Sequence, residues 1–308
     1  MIEDLRGKTA FITGGASGIG FGMAEAFVDQ GMNVVIADIE DAALADARAR
    51  LARRSNGVHA IRLDVTDRDA FAAAADEVER TFGSLHVLCN NAGVAARGFI
   101  ANATYDDWDW TLGVNIGGVV NGIRTFLPRM IAHGEGGHVV NTASIAGLGA
   151  SPGNVIYSTS KFAVVGLSEG LQKELEPQRI GVTVLCPAAV RTNFNRNARN
   201  RPDELGDVGT PLDEEFYALM DEAFEVGMAP RELGDMVVAA IRENRLYVIP
   251  HGEFRESYKQ KIDEILAAWS DPPPPDAERV TANKKRQEAF RRLAAGTLGK
   301  NKSSGPQP

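Results

Sequence analysis

Apolar residues in this chain are grouped in two ways. Short, nearly unbroken runs occur at Thr9–Thr13, Asn33–Ala37, Val58–Leu63, His86–Cys89, His138–Thr142, Val182–Cys186 and Leu246–Ile249. Runs this short and continuous predict strands covered on both faces. Longer helix-like stretches lie between them, for example Ile19–Gln30, Ala42–Arg54, Asp69–Phe82 and Tyr157–Glu176. Strand–helix–strand alternation implies βαβ units, hence an α/β fold with a doubly wound parallel sheet of about seven strands flanked by helices.

Two segments break the alternation. Residues 193–229 form an insertion that is polar at first and then aromatic, and they read as a substrate lid within a single domain spanning 1–270. Residues 271–308 open on Asp-Pro-Pro-Pro-Pro and carry eight Lys or Arg against four Asp or Glu, a local charge of +4. A proline-rich start followed by basic residues reads as an exposed extension, either a solvated tail or an arm against an acidic surface of a sister subunit.

With 308 residues, 44% of them hydrophobic, the chain can bury a full core. Its net charge of −8 argues against nucleic acid or an anionic membrane as a general partner. The two cysteines, Cys89 and Cys186, each end an apolar run, and the five histidines do not cluster. This predicts buried, reduced thiols and no metal site. The acidic start Met1-Ile-Glu-Asp-Leu-Arg lacks a cationic leader, and no stretch is long enough to span a bilayer, so the expected location is cytoplasmic.

The first strand runs into Thr13-Gly14-Gly-Ala-Ser17-Gly18-Ile19-Gly20, and a helix follows at once. Glycines so placed allow a tight turn, a close backbone approach to a pyrophosphate and close helix–strand packing. The helix N-terminus adds unpaired N–H donors and the positive end of its dipole. Asp38 ends the second strand, where a carboxylate can accept from both hydroxyls of an adenosine ribose. No Arg or Lys occupies the turn, and Glu40 and Asp41 follow Asp38, which favours NAD over NADP as cofactor. Asp64-Val65, after the third strand, is placed either to meet an adenine amino group or to cap the helix starting at Thr66 or Asp67.

Tyr157 and Lys161 stand four apart in a helix-like stretch and therefore share one face. A free tyrosine titrates near ~10, and a cation beside it lowers that value, which fits a general acid/base. A packed ring beside a solvated amine would give the same spacing.

Taken together, these motifs resemble the short-chain dehydrogenase/reductase family over about residues 5–190. Thr13-Gly14-x-x-x-Gly18-x-Gly20 resembles its cofactor turn, and Asn90-Asn91-Ala92-Gly93 its motif after the fourth strand. Asn115, Ser144, Tyr157 and Lys161 fall at its catalytic positions. The resemblance implies a Rossmann-type sheet, nicotinamide-side contacts from Pro187, Val190 and Thr192, and a homodimer or homotetramer. It also implies proton transfer at Tyr157, oxygen stabilisation by Ser144, ribose contacts from Lys161 and a relay water at Asn115. Where the family commonly has Pro-Gly after the sixth strand, this chain has Pro187-Ala188. The added methyl resists positive φ beside the nicotinamide.

Thr104-Tyr-Asp-Asp-Trp-Asp-Trp, Asn121-Gly-Ile-Arg-Thr-Phe-Leu-Pro and Leu246-Tyr-Val-Ile-Pro are further similar to bacterial NAD-dependent Cα-dehydrogenases, which oxidise the benzylic alcohol of lignin-derived β-aryl ethers. Phe99, Phe194, Phe216, Tyr217 and Met220, with Phe224 and Met228, could roof an apolar pocket or form the core face of a lid helix. The reading is an NAD-dependent oxidoreductase for a bulky, aromatic secondary alcohol or its ketone. The alternatives are a hydroxysteroid or other lipophilic-alcohol dehydrogenase, and a non-catalytic dinucleotide sensor.

Overall fold

The computed structural model describes residues 2, 4–209, 212–269 and 276–297. The chain alternates as read: β1 (Thr9–Thr13), α1 (Gly18–Asp29), β2 (Asn33–Asp38), α2 (Asp41–Ala52), β3 (Val58–Arg62), α3 (Arg68–Phe82) and β4 (Val87–Asn90). It continues through α4 (Tyr105–Leu112), α5 (Gly118–His133), β5 (Gly137–Thr142), α6 (Val155–Leu175) and β6 (Ile180–Leu185). The last elements are α7 (Glu214–Glu225), α8 (Pro230–Glu243), β7 (Tyr247–Val248), α9 (Arg255–Ala267) and α10 (Ala277–Thr297).

The seven strands form one parallel sheet in the order β3-β2-β1-β4-β5-β6-β7. β1 carries β2 on one side and β4 on the other, so the winding reverses there. At such a switch point the connections leave in opposite directions and open a crevice beyond the strand C-termini. Helices cover both faces, which is why most of the strands are buried along their whole length rather than on alternate residues. One face packs Ile12, Phe27, Ile36, Leu51, Leu233 and Val237. The other builds on Phe11, Phe71 and Phe126, with the Phe11 and Phe126 rings 4.7 Å apart.

Two local features bear on the site. Thr104 caps α4 reciprocally with Asp107, each side chain bonding the other's backbone N–H, at 3.2 and 2.9 Å. Between α4 and α5 the backbone widens into a π turn over Gly113–Gly117, a feature often found at functional sites. The predicted strand at Leu246–Ile249 shortens to two residues because only Tyr247 and Val248 find partners on β6. Residues 277–297 of the expected extension form a helix, exposed along 277–292 apart from half-buried Val280, while 271–275 and 298–308 lie outside the described residues. Among the described residues no helix is long and apolar enough to cross a membrane.

Candidate active site

A cavity of about 890 Å³ opens at the switch point, beyond the C-termini of β1, β4, β5 and β6. Gly14, Ser17, Gly18 and Ile19 line it from the β1–α1 turn, Asp38 from the end of β2, and Asp64 and Val65 from the segment after β3. Asn91, Ala92 and Gly93 line it after β4, Ser144 after β5, Tyr157 and Lys161 from α6, and Pro187, Val190 and Thr192 after β6. Thr13, Gly20 and Asn115 stand behind this wall rather than in it.

The glycine turn owes its shape to steric limits. Gly14 and Gly18 adopt φ of +63° and +50°, which side chains rarely tolerate. A Cβ on Gly20 would lie 2.1 Å from the Gly14 carbonyl oxygen, so any other residue would push α1 off the turn. Behind it, the Thr13 hydroxyl accepts the N–H groups of Asn91 and Ala92 at 2.9 and 3.1 Å. Asn91 in turn donates to the Thr13 carbonyl at 3.0 Å, tying the β1 and β4 ends into one rigid edge. Asp38 accepts from the N–H of Ala16 at 3.1 Å and of Glu40 at 3.2 Å, and burial nonetheless raises its pKa. Asp67, not Asp64, caps α3. Asp64 turns onto Thr66 at 2.8 Å and faces the cavity, so of its two readings the helix cap is excluded.

At the other end Tyr157 and Lys161 emerge from the buried face of α6, and the ammonium lies 5.5 Å from the phenol ring centre. The expected coupling, in which Lys161 lowers the phenol pKa, is not the main influence on Tyr157. Burial raises its pKa, while the nearby Ser144 hydroxyl and the charge of Arg97 act to lower it. Lys161 donates to the Thr142 carbonyl at 2.9 Å, and burial lowers its pKa to about 8. The physical reason is desolvation: both groups are buried, and burial disfavours each charged form. Ser144 sits in extended backbone as the N-cap of a short 3₁₀ turn, Ile145–Gly147, its hydroxyl accepting the Ala146 N–H at 3.1 Å.

Asn115 lies in the π turn, fully buried. Its Oδ1 accepts the Val94 N–H at 2.8 Å, and its Nδ2 donates to the Val94 carbonyl and the Ser160 hydroxyl, both at 2.9 Å. Every polar atom of this side chain is engaged, so it braces the backbone after β4, and a water relay through the side chain finds no free donor.

The loop after β6 also departs from expectation. Ala188 does not adopt positive φ, and among the described residues only Arg179 and Asn244 do so outside glycine. The loop is instead pinned by His251, which follows β7: its Nδ1 accepts the Ala188 N–H at 3.1 Å and its Nε2 donates to the Ala189 carbonyl at 3.0 Å. This pattern needs the neutral imidazole.

Of the residues read as a substrate roof, Phe194 and Met220 line the cavity, joined by Phe224. Phe99, 58% exposed, lies outside it, as do Phe216 and Tyr217, which pair edge to face on the outer turn of α7. No residue of α7 is buried, so its apolar stripe is neither core nor uniformly pocket. The lid turn Phe194–Asn200 reaches across to the cofactor-side loop, where Arg199 and Asn200 both bond the Glu40 carboxylate. Neither this clasp nor His251 was legible in the sequence, because both join positions far apart in the chain. Both cysteines are free and buried, and burial pushes the Cys186 thiol up to about 12.

A family model described as short chain dehydrogenase matches residues 8–203. The chain is 41% identical over 276 residues to a C alpha-dehydrogenase of Sphingobium sp., covering 88% of this chain and 90% of that protein. It is 36% identical over 203 residues to 3beta-hydroxysteroid dehydrogenase 2 of Eggerthella lenta, covering 66% and 78% of the two chains. The crystal structure of a short chain dehydrogenase/reductase from Burkholderia phymatum in complex with NAD superposes with a TM-score of 0.83 at 35% identity, covering 90% of this chain and all of that one.

Proposed function

Because the chain belongs to the short-chain dehydrogenase family, we propose that it is an NAD-dependent oxidoreductase that interconverts a bulky aromatic secondary alcohol and its ketone, with the benzylic Cα alcohol of lignin-derived β-aryl ethers as the substrate class. The observation that carries this reading is the two-ended cavity. A glycine turn and Asp38 line one end, Ser144 and Tyr157 line the other beneath apolar Phe194, Met220 and Phe224, and Lys161 lies between. The turn fits a dinucleotide pyrophosphate, and the Asp38 carboxylate fits an unphosphorylated ribose while repelling a 2′-phosphate.

NAD, when bound, supplies the hydride acceptor and a positive charge at the nicotinamide ring. Tyr157 then accepts the hydroxyl proton of the alcohol, and Ser144 donates to the oxygen as carbonyl character develops. Lys161, fixed at one N–H by Thr142, keeps further N–H groups for the nicotinamide ribose. Pro187, Val190 and Thr192 would hold the nicotinamide side of the cofactor, and Asn115 fixes the cavity wall at Val94 by bracing its backbone.

The similarity to a C alpha-dehydrogenase over nearly the whole chain supports the aryl carbinol over a sterol. The test is NADH formation by the purified protein with a β-aryl ether carbinol, a simple 1-arylethanol, a 3β-hydroxysteroid and an aliphatic secondary alcohol. Turnover of the aryl carbinols with NAD in preference to NADP is expected. Turnover of the steroid alone would transfer the assignment to the sterol class, and tight NADH binding without any turnover would make the protein a sensor.

His251→Ala should raise the KM for NAD by about tenfold with a smaller effect on kcat, since it frees a half-buried N–H and a half-buried carbonyl that hold the nicotinamide-side loop. Steady-state kinetics at saturating alcohol checks this, and an unchanged KM would remove His251 from cofactor positioning. The half-exposed apolar side chains Val120, Val155 and Phe162 on α5 and α6 suit a homodimer or homotetramer formed through these helices, in a cytoplasmic setting.

A further inference from the structure

Arg97 lines the cavity beside Phe194, and beyond the action of its charge on Tyr157 the reaction as described gives it no contact with the substrate. It is only 6% exposed, yet no carboxylate pairs with it among the described residues. Its Nη1 donates to the Asn195 amide oxygen at 2.6 Å, and Asn195 in turn donates to Asp221 on α7 at 2.8 Å. The Nε and Nη2 groups, the edge that receives a carboxylate side-on, have no hydrogen-bond partner among the described residues. The guanidinium lies 5.7 Å from the Phe194 ring centre, and that ring lies 5.8 Å from the Tyr157 ring, so the cation stands one aromatic ring away from the proton-transfer site.

The acidic residues lining the cavity, Asp38, Glu40 and Asp64, all sit at its other end. The other cations there are engaged: Arg199 with Glu40, Lys161 with the Thr142 carbonyl and Lys261 with the Leu148 carbonyl. A buried guanidinium without a counter-charge is costly, and desolvation lowers the Arg97 pKa without neutralising so strong a base. An anionic group on the ligand would offset that cost. A single guanidinium, already committed at one nitrogen, matches one carboxylate better than a phosphate dianion, which would require further donors.

We propose that Arg97 is the recognition site for a carboxylate carried by the substrate, so that the enzyme prefers aryl carbinols bearing an acid group. This rests on the aryl-carbinol reading above. The probes are 4-(1-hydroxyethyl)benzoate and its methyl ester, compared in wild type, Arg97→Gln and Arg97→Lys. In wild type, kcat/KM for the carboxylate should exceed that for the ester by about 10- to 100-fold. Arg97→Gln should bring that ratio close to one, and Arg97→Lys should leave it intermediate, since a lysine keeps the charge but loses the fork. A ratio that survives in Arg97→Gln overturns the proposal. Survival of the ratio together with an equal loss for both probes and a shifted pH profile would overturn the carboxylate site and confine Arg97 to its electrostatic action on Tyr157.

If neither alcohol is turned over, the aryl-carbinol reading fails separately, and binding still decides the role of Arg97. In calorimetric titrations of the NADH-loaded protein, 4-acetylbenzoate should bind at least tenfold more tightly than its methyl ester in wild type and no more tightly in Arg97→Gln. Equal affinity of the two ketones in wild type would overturn the anion site.

Discussion

Tyr157→Phe is expected to lower kcat for alcohol oxidation by about 10²- to 10⁴-fold, the range associated with losing a positioned general acid/base. That is on the order of 3–5 kcal/mol of transition-state stabilisation. The ring keeps its contact with Phe194, so the pocket wall and the affinity for NADH should survive, which fluorescence titration would check. The pH dependence gives a second readout. Burial holds the phenol pKa above its ordinary value, so the base form that accepts the proton is scarce at neutral pH. Wild-type kcat/KM for oxidation should therefore rise with pH, and the Phe variant should lose that rise. Near-normal turnover in Tyr157→Phe would sink the mechanism.

The second large effect concerns the root of the lid. Asp107, at the start of α4, and Arg201, at the end of the first lid turns, form an ion pair 3.0 Å apart with side chains only 2% and 5% exposed. Its Oδ1 and the Arg201 Nη1 face each other outside hydrogen-bond angles, so the pair is held mainly by charge. Asp107 also accepts the N–H of Thr104 and of Gly209, while Arg201 donates to the Leu205 and Gly206 carbonyls and lies over the Trp110 ring.

Removing one member of such a pair strands the other charge in the interior. Asp107→Ala is expected to cost about 3–5 kcal/mol, against a far smaller loss when both residues are replaced by apolar ones of similar size. At roughly 2 °C per kcal/mol for a chain of this size, the melting temperature should fall by about 6–10 °C. Thermal unfolding of Asp107→Ala, and of a double variant with Arg201→Met, tests this. A loss below about 1 kcal/mol in the single variant would show that the pair is not the lid's anchor.

The sheet was readable from the sequence because its strands are buried on both faces. Continuous runs such as Thr9–Thr13 and Val182–Cys186 leave no alternative to a covered parallel sheet, and the structure shifts their ends by two residues or less. The glycine turn was equally legible, since Gly14, Gly18 and Gly20 act through local backbone geometry over seven consecutive residues. The lid was not. Its residues 193–229 follow no single period, and whether Phe194 or Phe216 meets the cavity depends on where the segment is pinned.

What the sequence determined by itself was therefore local: which runs become strands, where the glycine turn forms, and that Tyr157 and Lys161 share one helix face. The tertiary structure alone decided what those groups experience. Packing buries Tyr157 and Lys161 together, so that desolvation is the largest influence on each, and it places Arg97, sixty residues away in the chain, as the cation acting on the phenol. It also engages Asn115 on Val94 and brings His251 under Ala188. Spacing along a chain fixes contacts within one helix turn or one tight loop, whereas burial and charge fields sum over every element packed around a site.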